Sequence, residues 1–380
     1  MSKRAKPLLL LAVVIILGIL AIYLGQLARR SNSQELVEAK LQFARPDWLA
    51  EESFTDQTDL RDLATSLQAA EHSASPPPNH EQPVYRLLLE TREQPQELWL
   101  THDLQVYNLS LGQRLIIGPP GQRVLEKYAK SLRSKQFGGL LPWSEAKQLI
   151  PLYSIFSVVD LETGLTFKTQ RRAGSLHGDI QPLTKQDTEI LKTIYNGEWS
   201  WDRRAVIVEI GGRRIAASMH GMPHGAGALV NGFPGHHCLH FLGSLTHGGS
   251  RIDPMHQVMV QKAAGRLYEY LDQLPPDELR NLAMELAGQG DTATIGLIII
   301  NSGNGIEALA NQIRDIRVWT AQVESASDGK QIGKYSVSVF FRGDQREYRT
   351  NVTVTCRYGG NLGKWLVEPD YLQQLVNARR

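Results

Sequence analysis

The longest apolar stretch of the chain lies close to its N-terminus. Residues 7–28 contain no charged side chain and are mostly Leu, Ile, Val and Ala, with three basic residues before them and Arg29 and Arg30 after them. A helix of this length rises about 30 Å, which matches the hydrocarbon core of a bilayer. A cleaved signal peptide would have a shorter apolar region and a small-x-small cleavage site. The stretch predicts a transmembrane helix at residues 1–30, a single-pass location in the cell membrane, and an extracytoplasmic position for most of the chain.

The segment that follows, residues 31–83, shows little apolar periodicity. One short amphipathic stripe near residues 58–70 predicts a helix, and residues 73–80 form a proline-rich spacer. We therefore predict a stalk or linker over residues 31–83.

Three folded domains are predicted beyond the stalk. Short alternating runs followed by a helical stripe predict a small α/β domain at 84–140. Strand runs separated by turn signals predict a β-rich domain at 141–272, and helices followed by alternating runs predict an α+β domain with an antiparallel meander at 273–380. The predicted fold class is therefore α+β, with a single N-terminal transmembrane helix, a β-rich central domain and a C-terminal α+β domain.

Local signals place several elements within these domains. Gly211 and Gly212 separate two apolar runs and predict a two-residue hairpin turn. Asp253 followed by Pro254 predicts the start of a helix. The apolar run Thr294–Ile300 predicts a strand.

Charge and cysteine content limit the classes of partner. The chain has 41 Lys and Arg residues against 39 Asp and Glu residues, so its formal net charge is +2 and nucleic acid is not an expected partner. Its two cysteines are Cys238 and Cys356. An extracytoplasmic location permits a disulfide, and the sequence leaves open whether Cys238 is free or bridged to Cys356.

Histidines are concentrated in the predicted central domain. Of the 11 in the chain, eight lie between His177 and His256, and residues 220–241 are also rich in glycine. Glycine allows the backbone to turn sharply and to approach another group closely. This composition favours a functional site over ordinary core packing.

Three interpretations of the histidine-rich segment remain open from the residues alone. Cys238 could be a nucleophile, because a neighbouring histidine such as His236 can accept its proton. A second possibility is that His177, Asp179, His236 and His240 bind zinc, since zinc hydrolases use such residue sets. In the third, the histidines only satisfy loop hydrogen bonds, and Cys238 is buried or bridged.

The segment also resembles the active-site signature of YkuD-type L,D-transpeptidases. In that family a His-Gly pair is followed, after a spacer, by Ser/Thr-His-Gly-Cys, an aliphatic residue and an arginine. His220-Gly221 is similar to the first element, and the five residues Gly235 to Leu239 are similar to the second. The block around Cys238 is also similar to one in a group of bacterial envelope proteins. Three positions depart from the family pattern: Gly235, His237 and His240 stand where the family has a hydroxyl residue, a glycine and an arginine.

The resemblance implies a cysteine acyltransferase that acts on peptidoglycan stem peptides. Cys238 would attack the acyl carbonyl, His236 would accept the thiol proton and His220 would orient the donor. The implied substrate-binding residues are His177, His224, His237 and His240. The implied partners are peptidoglycan and the membrane, with no cofactor and no nucleic acid. Two alternatives remain: a zinc-dependent peptidoglycan hydrolase using His177, Asp179, His236 and His240, and a non-catalytic wall-binding or scaffold protein.

Overall fold

A computed structural model describes most of the chain. The described residues are 36–44, 50–74, 84–92, 94–247, 251–300, 305–325, 329–359 and 363–379. They form two compact units, which are divided between Leu132 and Arg133.

The first unit is built on a seven-stranded antiparallel sheet with the strand order β2-β1-β4-β5-β6-β7-β3. Apolar side chains alternate along its central strands, so Leu41, Leu87 and Leu98 are fully buried. The elements are β1 (Leu36–Phe43), β2 (Glu51–Ser53), α1 (Gln57–Gln68), β3 (Glu71–Ser73), β4 (Tyr85–Thr91), β5 (Gln96–Leu100), β6 (Val106–Asn108), β7 (Gln113–Ile116) and α2 (Pro119–Gln136), the last of which continues across the division.

This unit differs from the predicted stalk at residues 31–83. The strands β1, β2 and β3 and the helix α1 all lie within that range and belong to the sheet or pack on it. The physical reason is the alternation in β1, where Ala39, Leu41 and Phe43 are buried while the residues between them are partly exposed. The proline-rich spacer falls largely outside the described residues.

The second unit contains a closed six-stranded antiparallel barrel with the strand order β10-β13-β12-β11-β8-β9. Its interior is filled by apolar side chains that include Phe167, Ile180 and Leu239. The elements of this part are α3 (Trp143–Leu149), β8 (Ile155–Asp160), β9 (Thr166–Ala173), β10 (Gly178–Pro182), α4 (Lys185–Ile194), β11 (Arg204–Ile210), β12 (Arg213–Met219) and β13 (His237–His240).

The hairpin between β11 and β12 has the predicted two-residue turn. Ile210 pairs with Arg213, and Gly211 and Gly212 both have positive φ angles, of 55° and 73°. Positive φ at both central positions defines the type I′ turn, which glycine adopts without steric cost.

Helices and a four-stranded sheet complete the second unit. The sheet has the order β14-β15-β16-β17, and α7 packs on it. The elements are α5 (Pro254–Ala263), α6 (Leu267–Asp272), α7 (Pro276–Gln289), α8 (Thr292–Ile298), α9 (Ile306–Ala310), β14 (Ile313–Ser325), β15 (Lys330–Phe341), β16 (Tyr348–Gly359), β17 (Lys364–Val367) and α10 (Asp370–Asn377). These elements belong to the same compact unit as the barrel, whereas the sequence predicted separate domains at 141–272 and 273–380.

The predicted strand at Thr294–Ile300 is a helix for most of its length, because Asp291 caps it. The Asp291 carboxylate accepts hydrogen bonds from the backbone N–H and the hydroxyl of Thr294. Such a cap satisfies N–H groups of the first turn and favours helix over strand. Only Ile299 and Ile300 continue in an extended path beside β17.

The membrane-spanning part of the predicted fold class is corrected by the structure. No helix among the described residues is both long enough and apolar enough to cross a bilayer. The longest helix in the described part of the chain, α2, has 18 residues and carries charged side chains along most of its length. This finding also overturns the predicted single-pass location in the cell membrane. The predicted helix itself, at residues 1–30, lies outside the described residues.

Candidate metal centre

Adjacent barrel strands deliver functional side chains to one outer face. In the ladder between β10 and β13, Asp179 is directly opposite Cys238, so their side chains lie on the same face. Ile180 and Leu239, the next residues, point into the barrel core. His220 immediately follows β12, the other neighbour of β13. The alternation of these strands thus directs Ile180 and Leu239 into the barrel and Asp179 and Cys238 to its outer face.

Three side-chain atoms converge at the centre of this face. Nε2 of His177 lies 3.0 Å from Nε2 of His247, and Oδ1 of Asp179 lies 3.2 Å from the former and 3.1 Å from the latter. We call these three residues the metal triad. Ligands bound tetrahedrally to one zinc ion at normal bond lengths are about 3.3 Å apart, close to the edges of this triangle.

Hydrogen bonds fix the orientation of several imidazole rings around the triad. In each case Nδ1 faces a backbone carbonyl oxygen, which can only accept, so Nδ1 carries a proton, and in the neutral form of the ring Nε2 then offers a lone pair. Metal-binding histidines are commonly held in this way. The pairs are His177 with Leu245 at 2.6 Å, His224 with Met222 at 3.1 Å, and His236 with Ala226 at 3.0 Å.

The Asp179 carboxylate is buried, and its oxygen Oδ1 lies within 4 Å of Nε2 of His177, His236 and His247. Oδ1 has no aligned hydrogen-bond donor among the described residues, although Nε2 of His177 and Nε2 of His247 are 3.2 and 3.1 Å away. Burial alone raises the pKa of the Asp179 carboxyl, but the contact with His177 and the fields of His177, His236 and His247 outweigh it and lower the pKa. A buried carboxylate oxygen surrounded by imidazole nitrogens fits a cation.

A glycine-rich loop brings His224 and His236 together. Their backbones exchange two hydrogen bonds, of 3.0 and 2.9 Å, which hold the two residues opposite each other. A Cβ atom on Gly225 would lie 2.4 Å from the His236 ring, and one on Gly235 would lie 2.5 Å from the His224 carbonyl oxygen. Both glycines also have positive φ angles. The glycines are therefore required for the close approach of the two imidazoles.

Cys238 is a free, buried thiol at the edge of the triad. Its Sγ lies 3.4 Å from Nε2 of His224, and the four ligand atoms of His177, Asp179, Cys238 and His247 all lie within 4.8 Å of one another. Burial, with a smaller contribution from Asp179, raises the pKa of the Cys238 thiol far above its ordinary value. Cys356 is also free and buried, so the disulfide that the sequence left open is not formed in the described part of the chain.

Other histidines pack behind the triad and are held neutral. The His240 ring stacks on His256 at a centroid distance of 3.7 Å and on His177 at 4.5 Å, and Ser218 hydrogen-bonds His256. Burial lowers the pKa of His240 to about 2 and that of His237 to about 3, and it places the pKa of His256 well below its ordinary value.

These neutral histidines predict acid-sensitive folding of the metal-free protein. Below about pH 6.5 the unfolded chain binds protons at these sites and the folded chain does not, so the free energy of unfolding falls as the pH falls. Each such histidine contributes about 1.4 kcal/mol per pH unit in this range. Urea unfolding at pH 7.5 and pH 5.5, with chelator present, measures the slope. The slope should be smaller in the His256→Gln variant by the contribution of one histidine. An unchanged slope in that variant would contradict the conclusion that the fold holds His256 neutral.

The structure brings together some of the residues predicted from the sequence and separates others. His177 and Asp179 of the predicted zinc set lie in the triad, and Nε2 of His236 lies 3.9 Å from Asp179 Oδ1. His240 packs behind the triad. His236, the predicted base for Cys238, hydrogen-bonds Ala226, and it is His224 that approaches the thiol.

The remaining predicted residues lie around the same centre. His220 is buried against Trp201 and His224, and His237 is buried on the core side of β13, where Nδ1 donates to the His220 carbonyl oxygen. Sequence reasoning did not predict His247 as a ligand. Its only local signal was its position between a threonine and two glycines, which does not distinguish a ligand from a loop residue.

Comparison with known proteins adds no relationship. The chain matches no known protein-family model and no curated protein.

Proposed function

We propose that the second unit is a zinc-dependent hydrolase whose ion is held by the metal triad. The observation that supports this most directly is the triangle formed by Nε2 of His177, Nε2 of His247 and Oδ1 of Asp179, with edges of 3.0 to 3.2 Å. Two neutral imidazoles and a carboxylate, with space for a further ligand, are the donor set of catalytic zinc sites.

An ion pair between histidine and aspartate explains this geometry less well. The proton on Nδ1 of His177 is directed to the Leu245 carbonyl oxygen, so Nε2 of a neutral ring is an acceptor. A second acceptor, Asp179 Oδ1, lies 3.2 Å from it. A cation between these atoms satisfies both, whereas a single proton on Nε2 of His247, which lies 3.0 Å from His177 Nε2 and 3.1 Å from Asp179 Oδ1, would have to be shared between the two acceptors.

The expected chemistry is metal-assisted hydrolysis. When bound, a zinc ion polarises a carbonyl oxygen and lowers the pKa of a bound water to about 7. The half-exposed His247 lies on the solvent side of the triad, whereas His177 and Asp179 lie beneath it. The protein's own residues therefore hold the reacting groups on a face that a substrate can reach.

A cleft next to the site offers a place for substrate. It has a volume of about 970 Å³, and its lining includes Trp201, Met222 and Thr246, which adjoin the histidines of the site. The Trp201 ring is 4.6 Å from the His220 ring, and its side chain is about half exposed. Arg203 and Arg251 also line the cleft. Acidic residues including Asp202 and Asp253 line it too, and Arg203 is paired with Asp253. The cleft thus offers aromatic contacts and charged groups of both signs to an extended polar chain.

The proposed substrate is the stem peptide of peptidoglycan. This choice is supported by two observations. The segment around Cys238 resembles the signature of a family that acts on that substrate, and the lining of the cleft is polar and aromatic. An amide bond of the peptide is the group that metal-assisted hydrolysis would cleave.

The proposal is tested with the purified protein loaded with zinc. We expect about one equivalent or more of tightly held zinc, and release of peptide fragments from purified muropeptides that stops on treatment with chelator and returns with added zinc. The His72→Gln variant is the control, because His72 is an exposed histidine of the first unit. Protein that retains no zinc after reconstitution and desalting would contradict the proposal.

A second function, cysteine acyl transfer, is supported by the 3.4 Å contact between Cys238 Sγ and His224 Nε2. This contact provides a base for the thiol, but the raised pKa of Cys238 opposes thiolate formation. The two reactions differ in their intermediates. Acid quenching followed by intact-mass measurement would show an acylated chain for the cysteine mechanism, with activity that is insensitive to chelator. Zinc-dependent hydrolysis gives no such adduct.

A further inference from the structure

Histidines beyond the metal triad border the same space. His220 is 4% exposed, and its Nδ1 has no hydrogen-bond partner in the described ranges. His224 directs Nε2 towards Cys238, and His236 has a buried Nε2 that likewise finds no partner among the described residues. Buried imidazole nitrogens are normally hydrogen-bonded, so unpartnered ones at one place indicate a ligand.

Two of these histidines and Cys238 form a second set of potential ligands. It shares Cys238 Sγ with the four-residue set His177, Asp179, Cys238 and His247. Ring nitrogens of His220 and His224 and Sγ of Cys238 lie within 4.8 Å of one another. The same Sγ lies within 4.8 Å of the ligand atoms of the triad. Cys238 therefore stands between the two sets. We call His220, His224 and Cys238 the second subsite.

The contact between Cys238 and His224 changes from a hydrogen bond to a repulsion when a metal ion occupies the triad and Cys238 binds it. In the metal-free protein the thiol proton can lie between Sγ and Nε2, which are 3.4 Å apart. A cysteine that binds a metal ion is deprotonated, and its proton is released to solvent. Because Nδ1 of His224 already carries the ring proton, bonded to the Met222 carbonyl oxygen, Nε2 would then face a thiolate with lone pairs on both sides. A second cation between them removes this repulsion.

We propose that the site binds two zinc ions, with the Cys238 thiolate bridging the ion in the triad and a second ion held by His220 and His224. This inference rests on the proposed function. Zinc fits the second subsite because imidazole nitrogen and thiolate sulfur are its usual ligands. With Cys238 bound, the ion in the triad would have four protein ligands, so the open position for water would lie on the second ion, which has three. In two-metal hydrolytic sites the ions are about 3.5–4 Å apart and together stabilise the attacking and leaving oxygens. The bridge forms with loss of one proton from the thiol and with no change of oxidation state.

Metal stoichiometry tests this arrangement directly. The full chain is reconstituted with excess zinc, desalted, and analysed by elemental mass spectrometry together with protein quantitation. We expect two zinc ions per chain in the unmodified protein and in Cys356→Ala, the matched control that removes the other buried thiol. We expect one ion per chain in His224→Gln and in His220→Gln. His224 lies in a loop and is partly exposed, so its variant keeps the barrel intact, which circular dichroism verifies.

Cobalt substitution provides a second measurement of the bridge. Titration with Co²⁺ should give thiolate-to-cobalt charge-transfer absorption that grows over two equivalents in the unmodified protein and over one in His224→Gln. The second equivalent should also weaken the electron paramagnetic resonance signal of the first, because a shared sulfur couples the two ions.

The possible results separate this inference from the proposed function. One ion per chain in the unmodified protein, with zinc-dependent hydrolysis retained, would overturn the second subsite and leave the hydrolase proposal intact. No retained ion would overturn both. Two ions in His224→Gln and His220→Gln would place the second ion elsewhere and would also overturn the inference.

Discussion

The Asp179→Asn variant is expected to lose at least about 100-fold in zinc affinity, because asparagine keeps the size of the side chain but removes the anionic ligand. Hydrolysis of the muropeptide substrate should fall to the background at zinc concentrations that saturate the unmodified protein. Competition with a fluorescent chelator measures the affinity. Asp315→Asn, an exposed aspartate on β14, is the matched control and should bind zinc normally.

The same substitution should destabilise the metal-free protein only slightly. The surroundings lower the pKa of Asp179, so the fold favours the carboxylate on balance, but its Oδ1 has no aligned donor in the described part of the chain and gains little. We therefore expect Asp179→Asn to unfold in urea, with chelator present, at a slightly lower concentration than the unmodified protein. A loss of about 3 kcal/mol or more would instead show that Asp179 is one partner of a structural ion pair, and it would contradict the metal triad.

The second large effect is expected in thermal unfolding. Asp179 lies on β10, His177 directly precedes that strand, and His224 and His247 lie on loops. The site therefore forms only in the folded chain. Zinc at about 1,000 times its dissociation constant should therefore stabilise the fold by about 4 kcal/mol. For a unit of this size, that free energy raises the midpoint of unfolding by roughly 10 °C.

Differential scanning calorimetry with zinc and with chelator checks this result. Magnesium is the control ion, since it prefers oxygen ligands in octahedral geometry and should shift the midpoint little. The transition of the first unit should not respond to zinc. Equal midpoints with zinc and with chelator would contradict the coupling of metal binding to folding.

The sequence predicted local elements of the barrel better than the way they assemble. The glycine pair at 211–212 and the cap at Asp253 act over a few residues, and the observed hairpin and the start of α5 follow from them. Closure of six strands depends on pairings between distant segments, such as β8 with β11 and β10 with β13, which no local pattern encodes. The strands within 31–83 were not predicted because the alternation in β1 is short and its partner β4 lies beyond the proline-rich spacer.

The candidate site shows the same limit. The concentration of histidine and glycine located the site in the chain, and His177 and Asp179 were recognised as potential ligands because they are close in sequence. The choice between His236, His240 and His247 depends on which strand face each occupies and on how the chain after β13 returns to β10. His247 reaches the triad from a loop that is 70 residues away from His177 in sequence. Spacing alone could not reveal that contact.

The opposition of Asp179 and Cys238 in the ladder has a consequence for how such a site can diverge. A slip of one residue in β13 would turn the thiol into the barrel and bring His237 or Leu239 opposite Asp179, whereas a slip in β10 would turn Asp179 inwards, so an insertion in either strand removes one of the two anionic ligands. The ligands His224 and His247 lie on loops, where exchange for carboxylate or amide side chains leaves the barrel unchanged. We therefore expect loop substitutions alone to convert the site from a preference for soft metals to one for hard metals, which makes the barrel a scaffold on which metal selectivity can be evolved in the laboratory.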